Sequence, residues 1–160
     1  MKAFLIASFA FVCLALLSPA YSQSPSSPYA QLVADIDTYW VAKNHSAILQ
    51  VINDRLSSNA NDAFGLSLKR YYYTYAECDL QKARTAVSEL NNVVGALNNS
   101  SLSSLVSGLK SETDGIPLSE SSPFSQAEID AIHAIFPNRF PGIDLCEAIA
   151  IQVDSATANP

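Results

Sequence analysis

The sequence is short of basic residues, and those it has lie mostly in its first half. Of 160 residues, nine are Lys or Arg and fifteen are Asp or Glu, for a net charge of −6. Residues 23–84 balance six acids against six bases, whereas residues 85–160 hold nine acids but only Lys110 and Arg139. A nucleic-acid binder needs the opposite sign, and an anionic membrane surface would repel the acidic half. A basic partner or a cation is compatible with that half, as is an ordinary solvated face.

The residues of familiar chemistry are scarce too. The nucleophile elbow G-x-S-x-G is absent, as are the phosphate-cradling P-loop and the dinucleotide glycine fingerprint. The only histidines are His45 and His133, and no H-E-x-x-H occurs. The cysteines lack C-x-x-C spacing, so zinc has little to hold it. Asp130 and His133 fall three apart on one helical face, but two ligands are too few for a specific cation site. Glu77 and Asp79 flank Cys78, and paired carboxylates can divide acid and base work. Asp79 better suits a helix N-cap, and no histidine or pocket signal accompanies the pair. Nearby carboxylates would also raise the Cys78 thiol pKa, against the needs of a nucleophile. The sequence thus names no catalytic residue, no cofactor and no metal ligand.

A long apolar run occurs once, from Ala3 to Leu17 after Met1 and Lys2, with small residues at Ala20 and Ser22. This is the pattern of a secretory signal peptide over residues 1–22, since a bilayer span needs about 20 apolar residues. The expected product is exported, extracellular or periplasmic in a bacterium, and has no membrane attachment after signal removal. Cys13 leaves with the signal. Cys78 and Cys146 remain, and an even pair in an oxidising compartment predicts one disulfide. Such a loop would restrict the unfolded chain by roughly 4 kcal/mol.

The remainder reads as helices. Residues 23–28 form a polar linker. Tyr29, Leu32, Val33, Ile36 and Trp40 make one buried stripe, a break follows at residues 43–46, and Ile48, Val51, Ile52 and Leu56 make a second. SSNAND, residues 57–62, offers Asn61 or Asp62 as an N-cap. In the next helix Phe64, Leu68, Tyr71 and Tyr75 fall within about 60° of one another, with Tyr72 beside them. Leu66 and Tyr73 fall nearly opposite, as in a helix covered on two sides. A fourth helix, from near Asp79, buries Leu80, Ala83, Val87, Leu90 and Val94. A shorter piece carries Leu102, Leu105, Val106 and Leu109.

Residues 110–125 read as a polar loop, long enough to be functional or mobile. Ser125 and Glu128 form a capping box for a helix that stops before Pro137. After the corner at residues 137–142, Asp144 and Glu147 suit the start of a last helix. The expected fold is all-α: a small bundle of antiparallel helices over residues 29–109, with a C-terminal helical pair over residues 126–160 packing on the same domain.

WVAKNHSAILQVI, from Trp40, and YAECDLQKARTAV, from Tyr75, both open on an aromatic residue. Each then breaks, at Asn44-His45 and Cys78-Asp79, and re-enters a helix with Ala and Val inward. The offset is about 35, close to the 34-residue helix-turn-helix unit. Over residues 40–95 the chain resembles tetratricopeptide-like helical repeats. DLQKARTAVSEL resembles the opening of a repeat's second helix, and SSNAND its linking turn, with Ala60 where proline usually stands. The Trp-Leu-Gly-Tyr pattern is missing from the tyrosine helix, and three full repeats are not visible. The resemblance implies stacked helix hairpins and binding of another protein or macromolecule.

Tyr72 and Tyr73 are the candidate contact surface, because a phenol joins an apolar ring to a polar tip. Asn44, Asn98 and Asn99 head N-x-S/T sequons, candidate glycosylation sites in a eukaryotic pathway. Two other functions fit the same residues. One is a carrier of small apolar ligands with the tyrosine helix as a pocket wall; the other is an enzyme assembled from dispersed Glu77, Asp79 and His133.

Overall fold

The computed structural model describes residues 27–120 and 122–158. The expected signal peptide lies outside them. The described residues form seven α-helices and one 3-10 turn, with no strand. The helices are α1 (Ala30–Val41), α2 (His45–Ser58), α3 (Ala63–Tyr75), α4 (Leu80–Gly95), α5 (Ser100–Asp114), α6 (Gln126–Ile135) and α7 (Ile143–Ala158), and the 3-10 turn is Leu118–Glu120. None of these helices is long and apolar enough to cross a membrane.

Short polar side chains start most of these helices, by accepting a backbone N–H that the first turn leaves without a carbonyl. Asn44 accepts from Ala47, Asp62 from Gly65, Asp79 from Lys82 and Asn99 from Leu102. Ser125 and Glu128 complete the expected capping box. Lys43 and Cys78, each just before a cap, have φ of 55° and 54°. The turns that end α1 and α3 therefore reverse through the same left-handed residue followed by an Asx cap.

Helix α3 is the central rod and packs against α2, α4 and α7. This explains its two apolar stripes. Phe64, Leu68, Tyr71 and Tyr75 are buried on one side and Leu66 is buried on the other. Helix α4 also packs on α5, and α7 returns to touch both α3 and α1. The corner that aims α7 is held by Arg139, which binds Asp37 at 2.9 Å and pairs with Asp144. Asp37 in turn accepts the Phe140 N–H at 2.8 Å. Gly142, at φ +79°, lies so close to Tyr71 that a Cβ there would meet the ring at 2.4 Å.

Two expectations are corrected. The polar run after residue 109 is not all loop, because α5 continues to Asp114. Thr113 is fully buried and accepts a hydrogen bond from the Arg70 guanidinium at 3.1 Å. Arg84 binds the carbonyls of Thr113, Asp114 and Ile116 beyond it. Polar side chains thus face inward here, with partners, where composition alone suggests solvent.

Nor does a disulfide join Cys78 to Cys146: both are buried thiols. Cys146 lies on α7, where the charge of Arg70 in mid-α3 acts on it, whereas Cys78 lies beyond the C-terminal end of α3. Burial pushes the Cys146 thiol far above its usual range, so it is inert as a nucleophile.

Candidate functional site

Of the two tyrosines expected to form a contact surface, Tyr72 is buried and Tyr73 half-buried. Tyr72 is 3% exposed and its hydroxyl donates to Glu77 at 2.8 Å. Burial, and then the bond and charge of Glu77, push its pKa well up. Its polar tip is therefore turned to an internal acceptor and is not offered to a partner. Tyr73 is half-buried, edge-on to Tyr72 at 5.3 Å and below the Lys82 ammonium at 4.8 Å.

The paired carboxylates around Cys78 divide in another way. Glu77 holds Tyr72, and Asp79 caps α4. Burial acts to raise the Asp79 pKa, but the Lys82 N–H and ammonium outweigh it and hold the carboxyl low. A recess of about 390 Å³ lies beside them, walled by Ala76, Cys78 and Phe124 among others. Asp130 pairs with Lys43 at 2.6 Å on the surface, while His133 meets His45.

A groove of about 630 Å³ lies at the other end of α3. The α2–α3 turn supplies Asn59 to Asp62 and the start of α3 Ala63, α4 supplies Glu89, Asn92 and Val93, the turn after α4 supplies Ala96 and Leu97, and α7 supplies Val153, Asp154 and Thr157. A second recess of about 550 Å³ shares Ala96, Leu97 and Thr157 and extends to Asn98, Asn99 and Ser100. The two adjoin at these shared residues, at one end of the bundle, and are together called the trough.

Its acidic wall is fixed from beneath. Tyr29 stacks on Phe64 with ring centroids 5.0 Å apart, and Arg55 lies over both rings. Arg55 grips Asp62 through two bonds of 2.7 and 2.6 Å, the fork-to-carboxylate geometry that resists rotation. Asp62 also caps α3, and the Tyr29 hydroxyl donates to Asp154 at 2.7 Å. Glu89 pairs with Lys69 at 3.4 Å. Along the trough itself Asn61, Asn92 and Asn98 present exposed amides, and no lining residue is basic.

Of the three sequon asparagines, Asn44 and Asn99 cap helices, Asn44 and Asn98 are exposed, and Asn98 and Asn99 line the trough. The sequence showed the two asparagine-rich turns, SSNAND and NNSS. What places them together is the run of α3 and α4 between them, out and back, which returns both turns to one end of the bundle.

Among the described residues, no group of three or more His, Cys, Asp and Glu side chains could hold a metal ion. No protein-family model, curated protein or solved structure matches this chain.

Proposed function

We propose that this chain is an exported helical domain that binds another protein, taking an extended, basic segment of it into the trough between the α2–α3 turn, α4 and α7. The single observation that carries the reading is the lining. It combines the exposed amides of Asn61, Asn92 and Asn98 with the carboxylates of Asp62, Glu89 and Asp154 and with apolar Val93, Leu97 and Val153. An amide both donates and accepts, so it suits a peptide backbone. Asp62 and Glu89 are already paired with Arg55 and Lys69, but no lining residue is itself basic, and the acidic wall suits Lys or Arg side chains and speeds their encounter. The resemblance of residues 40–95 to tetratricopeptide-like repeats points to the same class of role, partner binding.

A carrier of small apolar molecules gains little support from a trough lined in part by amides and carboxylates. An enzyme built on Glu77, Asp79 and His133 gains little either, because each of these groups is held in a bond within the fold.

Site-specific photo-crosslinking tests the proposal. A crosslinker at Asn92, in the native extracellular or periplasmic fluid, should give a discrete protein adduct. Excess unmodified chain should compete it away, and added salt should weaken it. The same group at exposed Gln81, outside the trough, should give none. Equal labelling from both positions, or none from Asn92, would remove the trough as the binding site.

A further inference from the structure

His45 opens α2 and His133 lies in the last turn of α6, and their Nε2 atoms are 3.1 Å apart. The ring planes differ by 3° and the centroids are 5.3 Å apart. The centroid separation exceeds the nitrogen separation by almost two ring radii, so the two nitrogens face each other nearly head-on. One hydrogen fits between them, donated by one imidazole and accepted by the other. A tetrahedral metal would instead need the rings splayed about a common point.

This pair sits where α6 is attached. The close helix-to-helix packings join the other helices and do not include α6. Side chains seat it: Ile132 is buried, Trp40 stacks on His133 at 4.0 Å, and the Trp40 Nε1–H donates to the Phe136 carbonyl. Three charged groups face the imidazoles: Lys43 from the α1–α2 turn, Glu77 from the α3–α4 turn and Asp130 on α6 itself. Burial is the main effect and holds both imidazoles below the usual histidine range. Glu77 opposes this at His45 and Asp130 at His133, while Lys43 acts with burial on both, as does His45 on His133.

We propose that His45 and His133 form a proton-released latch: the neutral pair holds α6 over Trp40, and the doubly protonated pair lets α6 go. The first proton still leaves an N–H···N bond. The second puts hydrogens on both facing nitrogens and sets like charges 3.1 Å apart, so the pair titrates as a unit. The released state binds more protons than the seated one. Seating is therefore at full strength above the ordinary histidine value of about 6.5 and weakens as pH falls through the lower values of the folded pair.

Trp40 is the only tryptophan, so its emission reports the stack. Hydrogen exchange and emission of the full chain should be followed from about pH 7.5 to about pH 5. Protection of the α6 amides, corrected for intrinsic exchange, should fall at least about tenfold, the equivalent of one pKa unit. Protection at Val87 and Leu90 should change by less than about twofold, and Trp40 emission should shift to the red. His45→Gln can still donate to His133 but does not titrate, so it should lose the transition, and His133→Gln should do the same.

An undiminished transition in both variants would overturn the latch. So would an equal loss of protection across all helices, or emission quenching with α6 exchange unchanged. If one equivalent of zinc(II) at neutral pH raised α6 protection in the unmodified chain but not in His45→Gln, the pair would be a metal site instead.

Discussion

Trp40 donates its indole N–H to the main-chain carbonyl of Phe136 at 2.8 Å, a bond between residues 96 positions apart. It joins the end of α1 to the end of α6 and sets Trp40 edge-on to Phe140 as well. Trp40→Phe keeps an aromatic ring but deletes the donor, leaving a carbonyl without this partner. The expected cost is about 2 kcal/mol, from the lost bond and poorer filling. Calorimetry should show a lower Tm, and hydrogen exchange should show α6 loosened more than α4. A uniform loss of protection across both helices would contradict the anchoring role.

Gly142 and Tyr71 share a second tight contact. A methyl group at position 142 would be strained by the positive φ and would also overlap the ring of Tyr71, itself 4% exposed. Left-handed strain costs roughly 1–2 kcal/mol, and overpacking adds roughly 1–3 kcal/mol. Gly142→Ala should therefore lower the denaturant midpoint strongly. Gly108→Ala, whose Cβ would meet nothing within 4 Å, should leave it unchanged or raise it slightly.

Arg70 is 1% exposed and binds Thr113 and Glu112, with its guanidinium 4.2 Å from the centre of the Tyr71 ring. Truncation to Ala leaves a cavity and strips the half-buried Glu112 carboxylate of its counter-charge. The expected loss is about 3–5 kcal/mol. Arg70→Met fills much of the space, so its loss should be smaller, and Arg70→Met with Glu112→Gln smaller still. Equal destabilisation by Ala and Met would show that charge outweighs packing here.

The helices and their caps were readable from the residues, and the reasons are local. The alternating stripes of Phe64, Leu66, Leu68 and Tyr71 required cover on two sides, and α3 has it. The roles of Asp79 and of Ser125 with Glu128 follow from side-chain reach within one turn. Contacts between distant segments were not readable. His45 and His133 are 88 positions apart, and nothing in either neighbourhood signals the other. The end of α5 is not legible locally, because Thr113 is polar and its burial depends on Arg70 from another helix. A phenol tip usually seeks water, but Glu77 supplies Tyr72 with an acceptor inside. The trough is a product of topology, assembled from two turns and a terminus that share no motif.

Alkaline pH probes the tyrosines. Burial, the bond to Asp154 and the charges of Asp154 and Asp62 push Tyr29 up to about 12, against the pull of Arg55. Tyr72 and Tyr73 are raised as well, first by burial. A tyrosine unfolded at its ordinary value of about 10 gives up its proton earlier than the folded one. Above that pH the folded state binds more protons than the unfolded state. Stability is therefore full below pH 10 and declines as pH rises towards 12. Denaturant titrations across that range should show the decline. Tyr29→Phe should make it shallower, at a loss of about 1 kcal/mol at neutral pH. An unchanged slope in that variant would mean that Tyr29 does not report this linkage.

The two cysteines allow a direct chemical count. Cys146 is 0% and Cys78 3% exposed, and no disulfide joins them. In the native chain without reductant, alkylation at Cys146 should be slow, because burial disfavours the thiolate and only the thiolate reacts. After unfolding, still without reductant, both residues should be modified by iodoacetamide and both should be seen as alkylated peptides. Cys146→Ala should cost about 1 kcal/mol through lost packing alone. It should not cost the roughly 4 kcal/mol expected from opening a long loop. If instead both sulfurs resisted alkylation until reduced, and Cys78→Ala and Cys146→Ala each lost the larger amount, the helices would have to shift to bring the end of α3 and the face of α7 within bonding distance.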